Sequence, residues 1–146
     1  MRKFLSLSSA LFLSTLHLVS AQGVKDNPLR MDTIELSATF SGMTMTGKYG
    51  DGMKFRETYH PDGSITYQDD ASKDKGRWFV RGKLFCTFYE ASDGACFSVQ
   101  KSGENCYDYF TEEEEDGNPS AEPGAWNSIG WDEAKPSTCD LSPKTT

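Results

Sequence analysis

The sequence has few of the residue patterns that most often carry catalytic or metal chemistry. Histidine occurs twice in 146 residues. His17 falls in an apolar N-terminal run, which leaves His60, beside a turn proline. No cysteine pair has the CxxC spacing of redox or zinc motifs, no serine lies in a GxSxG turn, and no glycine-rich phosphate loop is present. We therefore predict no catalytic residue, no metal site and no cofactor, and we expect that the protein is not an enzyme.

Clustered positive charge is also missing. The chain has 15 Lys and Arg residues against 22 Asp and Glu residues, which gives a formal net charge of −7. Binding to nucleic acid or to an anionic membrane surface depends on clustered Lys and Arg, so the composition argues against both partners. An acidic protein can instead be steered electrostatically toward a basic partner.

A long apolar run occurs only at the N-terminus. Two basic residues precede a mostly apolar stretch, and Val19 and Ala21 are small residues at positions −3 and −1 before Gln22. This pattern predicts a secretory signal peptide over residues 1–21. An uncleaved membrane anchor is the alternative, but the run is short and rich in serine. We expect a periplasmic or secreted protein with no membrane span after cleavage, and the loss of two basic residues changes its charge from −7 to −9.

The region after the expected cleavage site begins with a polar stretch. Residues 22–31 are expected to form a flexible N-terminus. Asp32 or Thr33 can cap a short helix that carries Glu35 in its first turn, and Gly42 is a natural stop. One short N-terminal helix is therefore predicted before the first strand.

From Met53 onward the pattern changes to period two. In MKFRETY, apolar and polar side chains alternate, which predicts a half-buried strand. The HPDG that follows has the proline and glycine of a type I turn with a glycine bulge. A three-residue loop places Tyr59 opposite Ile65 and Glu57 opposite Tyr67, and this register puts both apolar sets on one face.

Further short strands follow at close spacing. RWFV, KLFCTF, ACFSV and CYDYF are predicted strands, whereas ASKDKG and YEASDG are predicted connections. The later strands carry apolar side chains on both faces, so the sheet must curl on itself or lie under the helix. The sequence therefore predicts a mainly β protein. Its antiparallel meander, over residues 32–110, forms a small lipocalin-like partial barrel with one short N-terminal helix.

The C-terminal part differs in composition from the predicted strands. Residues 111–124 are acidic and rich in proline and glycine, which predicts a solvated linker. The alternative for the run from Glu112 to Asp116 is a weak calcium site, since calcium is bound by several carboxylate oxygens. Residues 125–146 carry two tryptophans and Cys139, and we expect this tail to dock on the β domain through a disulfide.

Four cysteines lie in the part of the chain expected to be exported. An even number in an exported chain predicts two disulfides, for which three connectivities are possible. A tight turn between the strands of Cys86 and Cys96 would leave these residues about 13 Å apart, too far for a bridge. A wider loop over Tyr89 to Asp93 places them directly opposite each other. We favour that pair, with Cys106 bonded to Cys139.

Aromatic residues on the predicted strands form either the core or a pocket. A small barrel of about eight strands has an interior that side chains fill or that holds one small ligand, and both interpretations fit the pattern. Glu57 and Asp69 form a possible carboxylate pair across the first hairpin, which matters chemically only if it is buried. The candidate pocket residues are Tyr49, Phe55, Tyr67, Trp78, Phe88 and Phe97.

The order of the motifs resembles a known protein family. LSATFSGMTMTG, YHPDGSITY, GRWFVRGKLFCTFY and CFSVQKSGENCYDYF follow one another as in domain of unknown function 995, a family of small exported alphaproteobacterial proteins. The resemblance covers about residues 33–110. It implies a small β-barrel-like sheet and the first disulfide, and it implies no activity. The matching positions are Gly42, Thr44, Pro61, Asp62, Gly63, Gly76, Trp78, Cys86, Cys96, Phe97 and Val99.

Two functional hypotheses follow from this sequence. The first is a non-enzymatic binding module whose lipocalin-like barrel holds a small apolar or amphipathic ligand. The second is an envelope interaction protein or inhibitor that binds a basic partner such as a cell-wall enzyme, for which an acidic surface is suited. The first hypothesis predicts a cavity lined by the aromatic residues, and the second predicts a filled core.

Overall fold

The computed structural model describes residues 30–111 and 127–141, and its strands form a closed antiparallel barrel. Each strand pairs with its neighbours in sequence, and the last pairs with the first. The prediction of a mainly β meander with one short helix is confirmed. The elements are α1 (Thr33–Phe40), β1 (Thr44–Tyr49), β2 (Lys54–Tyr59), β3 (Ser64–Asp69), β4 (Lys73–Arg81), β5 (Leu84–Tyr89), β6 (Ala95–Gly103), β7 (Cys106–Thr111) and β8 (Ser128–Asp132).

Helix α1 begins and ends where the sequence predicts. The Asp32 carboxylate accepts hydrogen bonds from the backbone N–H groups of Ile34 and Glu35 at 2.8 and 2.9 Å. The Glu35 carboxylate accepts in turn from the Asp32 N–H at 2.9 Å, which completes a capping box. After the last turn, Gly42 adopts a φ of 82°, a left-handed conformation that glycine reaches without a steric cost.

The first predicted hairpin is also confirmed. Tyr59 pairs with Ile65 and Glu57 pairs with Tyr67. At the turn, Gly63 has a φ of 84°, as a glycine bulge requires. This register places alternate residues of β2 and β3 inside the barrel, where Tyr59 and Ile65 are fully buried.

The barrel is closed rather than partial because the C-terminal tail supplies a strand. β8 pairs with β1 on one side and with β7 on the other. Gly47 and Gly130 face each other at the β1–β8 seam. A Cβ atom on Gly130 would lie 2.5 Å from the Met45 sulfur, and one on Gly47 would lie 2.5 Å from the Phe55 ring. The two glycines therefore leave the space that these neighbouring side chains occupy.

Two predicted connections are wrong in part. β4 starts at Lys73, so most of ASKDKG belongs to a strand, and Tyr89 ends β5 instead of starting a loop. The charged residues of ASKDKG suggested a loop. In the structure Lys73 and Lys75 lie on the solvent-exposed face of the β3–β4 pair, where a strand can carry charged side chains. Gly76 is required within this strand, since a Cβ atom there would lie 1.9 Å from the Phe88 carbonyl oxygen.

Helix α1 fills one end of the barrel, which we call the closed end. Leu36 and Phe40 are fully buried, whereas Ile34 on the opposite face is 78% exposed. The Phe40 ring contacts the rings of Tyr59, Phe85 and Tyr107, with centroid distances of 5.7, 4.6 and 5.4 Å. Ile65 and Val99 are also fully buried in this cluster. A single stripe of the helix thus completes the apolar core.

Both expected disulfides are present. Cys86 bonds Cys96 across the β5–β6 pair, with the two residues directly opposite as the wide loop predicts. Cys106 bonds Cys139, so the tail after β8 is attached to the start of β7. No cysteine is free. Two disulfides indicate that the protein folds in an oxidising compartment outside the cytoplasm.

The tail after β8 is also held by one buried asparagine. Asn105 lies in the β6–β7 turn and is only 4% exposed. Its side-chain amide donates to the backbone carbonyls of Asp132, Lys135 and Pro136 at 3.1–3.2 Å. Its side-chain oxygen accepts from the Asp132 N–H at 2.9 Å. One side chain therefore fixes the chain reversal that follows the closing strand.

Several predictions fall on other parts of the chain. The signal peptide (residues 1–21) lies outside the described residues, as do most of the N-terminal segment and the acidic linker with its candidate calcium run. At the N-terminal boundary, Arg30 pairs with Gln100, and the Met31 N–H donates to the Val99 carbonyl at 2.9 Å. Within residues 30–111 and 127–141, no helix has the length and apolar character needed to cross a membrane.

Candidate functional site

The other end of the barrel contains a cavity of about 230 Å³. It lies away from α1, beside the β5–β6 loop, and the exposed residue Asp93 is at its mouth. Its polar lining includes Glu57, Thr87 and Ser128. Seven aromatic side chains from five strands also line it: Tyr49, Phe55, Tyr59, Phe85, Tyr89, Phe97 and Tyr109.

Glu57 is a buried acidic residue of this cavity. The alternation of β2 that buries Phe55 and Tyr59 also turns Glu57 inward, and its residue is only 7% exposed. The Tyr59 hydroxyl donates a hydrogen bond to one carboxylate oxygen and the Tyr89 hydroxyl donates to the other. A buried carboxylate requires such donors, because burial without partners costs several kcal/mol.

Burial shifts the ionisation of this group and its neighbours. Loss of solvent raises the pKa of Glu57, and the hydrogen bonds from Tyr59 and Tyr89 oppose this rise only in part. Burial also raises the pKa values of Tyr59 and Tyr89, and the charge of Glu57 raises them further. Both tyrosines are therefore neutral hydrogen-bond donors at neutral pH. Among the described residues that line the cavity there is no Lys, Arg or His to neutralise Glu57.

A second polar group lies beside the cavity. The Tyr49 hydroxyl donates to the Tyr67 hydroxyl at 3.4 Å, and Tyr67 donates to the Asp69 carboxylate at 2.9 Å. The Tyr67 ring also contacts the Tyr89 ring, with centroids 5.5 Å apart. Through the Tyr89 ring, these contacts connect Glu57 and its hydrogen-bond donors with Asp69, at the turn between β3 and β4. Glu57 and Asp69 are not directly opposite, because Asp69 pairs with Phe55.

The six residues predicted to line a pocket do not all lie at the cavity. Tyr49, Phe55 and Phe97 line the cavity, and Tyr67 lies next to it. Trp78 is buried in the core against Tyr59 and Phe85, and its indole N–H donates to the His60 carbonyl. Phe88 lies on the outer face, 41% exposed, where it stacks on Phe79 with ring centroids 5.8 Å apart.

Ten of the thirteen described lining residues were not among those predicted for the pocket, and these ten include Glu57, Tyr59, Tyr89 and Tyr109. The predicted hairpin register already placed Glu57 on the face of Tyr59, so a buried carboxylate was implied by the alternation of β2. Tyr89 was missed because it was assigned to a loop. Tyr109 was missed since its strand, β7, was predicted without a pairing register.

The described residues contain no group of three or more His, Cys, Asp and Glu side chains that could hold a metal ion. His60 lies in the β2–β3 turn, where its N–H donates to the Ser64 carbonyl at 2.9 Å. All four cysteines are used in disulfides. The chemistry of the candidate site is therefore that of a carboxylate, hydroxyl groups and aromatic rings.

Comparisons with known proteins add no assignment to this geometry. No protein-family model matches the chain, and no curated protein matches it either. The candidate site is therefore argued from its own residues.

Proposed function

We propose that the protein is a non-enzymatic binding module for a small molecule, which it holds inside a lipocalin-like barrel. The observation that carries this proposal is the cavity at the end of the barrel opposite α1, with its seven aromatic side chains and one buried carboxylate. Apolar and aromatic linings with few polar groups are typical of ligand sites. The closed end of the same barrel is packed by Leu36 and Phe40 of α1, and no residue of α1 lines this cavity.

The size of the cavity limits the ligand. Sites for drug-sized molecules have volumes of about 300–1,000 Å³, and this cavity has about 230 Å³. At about 30 Å³ of liquid per water molecule, it has the volume of roughly eight waters. The ligand is therefore a compact molecule, smaller than the fatty acids or pigments that fill large barrels.

The composition of the lining supports binding in preference to catalysis. A nucleophile or general base works with a second group that orients it or takes its proton. Glu57 instead accepts hydrogen bonds from two neutral tyrosines, and the cavity lining contains no histidine or cysteine in the described residues. This arrangement holds a carboxylate in place and offers it to an occupant.

The proposal places the protein in the periplasm or outside the cell. Its two disulfides are typical of proteins from oxidising compartments, and residues 1–21 have the pattern of a signal peptide. Membership in the domain of unknown function 995 family is part of the same proposal and rests on the order of the sequence motifs.

The alternative, an interaction protein for a basic partner, receives no support from the most exposed aromatic pair. Phe79 and Phe88 stack on the outer face and are 42% and 41% exposed. The residue opposite Phe88 on β4 is Arg77, which is exposed. A positive charge beside the aromatic pair does not complement a basic surface, so this hypothesis rests on net charge alone.

A cavity-filling substitution tests the proposed function. Ala95 lines the cavity, so Ala95→Phe should occupy it, whereas Ala91→Phe adds the same ring at an exposed position of the neighbouring loop. We expect small aromatic and amphipathic fragments to shift the amide resonances of the cavity strands in the wild type and in Ala91→Phe. In Ala95→Phe these shifts should be lost.

The test is decided by the fragment titration of the wild type and by a second cavity-filling variant. Ala95→Leu adds less volume and serves where Ala95→Phe disturbs the fold. If the fragments cause no shifts at the cavity in the wild type, or cause the same shifts in a folded filled variant, the binding proposal is wrong. If the shifts appear in the wild type and are lost in the filled variant, native mass spectrometry of protein purified from its own compartment identifies the bound molecule where one is retained.

A further inference from the structure

The cavity contains a carboxylate, Glu57, and no positively charged side chain is among the described residues that line it. Glu57 is 7% exposed, and its two oxygens accept hydrogen bonds from the neutral hydroxyls of Tyr59 and Tyr89. An ionised carboxylate has about four acceptor sites, so two hydroxyl donors leave acceptor capacity unused. Burying an ionised group is costly unless an opposite charge is near. An occupant with a positive charge would supply what the described lining lacks.

The rings around Glu57 suit the same kind of occupant. The faces of Tyr and Phe rings attract cations within about 6 Å of the ring centre, and aromatic cages bind quaternary ammonium groups in this way. Here Tyr49 and Phe55 lie together with centroids 4.7 Å apart, and Phe97 and Tyr109 lie together at 5.9 Å. Both pairs line the cavity that contains Glu57.

The electrostatics of the entrance agree with this interpretation. The acidic residue Asp93 is exposed at the mouth, and the whole chain has a net charge of −7. A cleft bordered by one sign of charge concentrates ligands of the opposite sign. An anionic ligand would instead meet a carboxylate at the mouth and another inside, and no basic side chain among the described lining residues would compensate it.

We propose that the cavity binds a small organic ammonium ion, with the Glu57 carboxylate as its counter-ion and the surrounding aromatic rings as its cage. This inference rests on the proposed function and specifies the chemical class of the ligand. A primary ammonium can donate hydrogen bonds to the carboxylate, and a quaternary ammonium presents a larger cationic surface to the rings. Both kinds fit a compact cavity of about 230 Å³.

Matched pairs of probes test the charge separately from the shape. Choline is compared with 3,3-dimethylbutan-1-ol, its neutral carbon isostere, and butylammonium is compared with butan-1-ol. Affinities are measured from amide chemical shifts of the full folded chain. We expect the cation of at least one pair to bind about tenfold or more tightly than its neutral isostere, since such a factor corresponds to the strength of one cation–aromatic contact in a desolvated site.

Two isosteric substitutions identify the counter-ion. Glu57→Gln keeps the shape of the side chain and removes its charge, so it should weaken binding of the cation about tenfold or more and change binding of the neutral isostere by less than about threefold. Asp93→Asn removes one charge at the exposed mouth. It should weaken binding of the cation by less than about threefold. An equal or larger loss in Asp93→Asn would overturn the assignment of Glu57.

The outcomes separate this inference from the proposed function. If the neutral isosteres bind in the cavity as tightly as the cations, the ammonium inference is wrong and the small-ligand proposal survives. If the neutral fragments shift the cavity resonances but neither cation does, the conclusion is the same. If none of these four probes shifts the cavity resonances, the ammonium inference is wrong, and the titration with aromatic and amphipathic fragments decides the small-ligand proposal. Should Glu57→Gln not fold, the comparison of cation with isostere in the wild type decides alone.

Discussion

The interior of the barrel is packed differently at its two ends. At the closed end, α1 inserts Leu36 and Phe40 among apolar side chains, and both residues are fully buried. At the other end, Glu57 and its tyrosine partners surround a cavity that no described helix fills. The closed end buries apolar side chains, whereas the cavity end buries the Glu57 carboxylate, and burial of a carboxylate lowers the free energy of unfolding. A group retained at such a cost is a candidate for function.

The largest expected effect is at the closed end, with Phe40→Ala. The Phe40 ring is fully buried and contacts the rings of Tyr59, Phe85 and Tyr107. Its removal should lower the free energy of unfolding by about 3–5 kcal/mol, as for other buried Phe→Ala substitutions. Chemical denaturation with both disulfides intact measures this loss.

Two matched variants show whether the effect belongs to the closed end. Ile34→Ala lies on the same helix but its residue is 78% exposed, so it should change the free energy by less than about 0.5 kcal/mol. Phe97→Ala removes a half-buried ring that already borders the cavity, and it should cost less than Phe40→Ala. An equal loss for the two phenylalanines would contradict the distinction between the ends.

An intermediate effect is expected for Asn105→Ala. The substitution removes one hydrogen bond from each of three backbone carbonyls and from the Asp132 N–H, and of these the Asp132 carbonyl still accepts from the Lys135 N–H at 3.2 Å. We expect a loss of roughly 1–3 kcal/mol in the free energy of unfolding. Hydrogen exchange should also accelerate locally, between Asp132 and Cys139. If exchange rises equally across all strands, the asparagine supports the whole barrel and not this segment.

The control for that prediction is an asparagine beside the cavity. Asn127 is exposed, and its side-chain oxygen accepts one backbone hydrogen bond, from Thr111 at 2.5 Å. Asn127→Ala should therefore cost less than about 1 kcal/mol. A larger cost for Asn127→Ala than for Asn105→Ala would show that the β7–β8 connection, and not the disulfide-bonded tail, holds β8 in the barrel.

Much of the scaffold follows from local patterns in the sequence. The helix start at Asp32 or Thr33, the HPDG turn and the alternation of β2 each depend on neighbouring residues, and all three were predicted correctly. The Cys86–Cys96 pair followed because the choice of loop length fixed which residues faced each other. These features need no knowledge of distant parts of the chain.

The remaining features depend on contacts between residues that are far apart in sequence. β8 was not predicted as a strand, because its pairing with β1 joins residues such as Gly47 and Gly130 across most of the domain. The position of Phe88 outside and Trp78 in the core follows from register and from α1, which the aromatic pattern alone does not specify. Glu57 could have been found, since the predicted register placed it on the face of Tyr59.

The smallest of the three predicted effects on stability concerns Glu57→Gln. This substitution should raise the free energy of unfolding at pH 7, whereas Phe40→Ala and Asn105→Ala should lower it. Because burial raises the pKa of Glu57 above its ordinary value of 4.5, the folded state binds a proton more tightly than the unfolded state. Stability from this group is therefore complete below about pH 4.5 and is lost as pH rises toward the folded pKa. Each unit of pKa difference costs about 1.4 kcal/mol.

Glutamine does not ionise, so Glu57→Gln should be more stable than the wild type at pH 7 and about equally stable near pH 4. Thermal unfolding followed across this pH range measures the difference. Glu90→Gln makes the same chemical change at a side chain that is 63% exposed, and it should alter stability by less than about 0.5 kcal/mol. If Glu57→Gln is instead less stable than the wild type at pH 7, the carboxylate contributes to the fold through its hydrogen bonds with Tyr59 and Tyr89. The contrast between a packed end and an end that retains a charge for binding would then be lost.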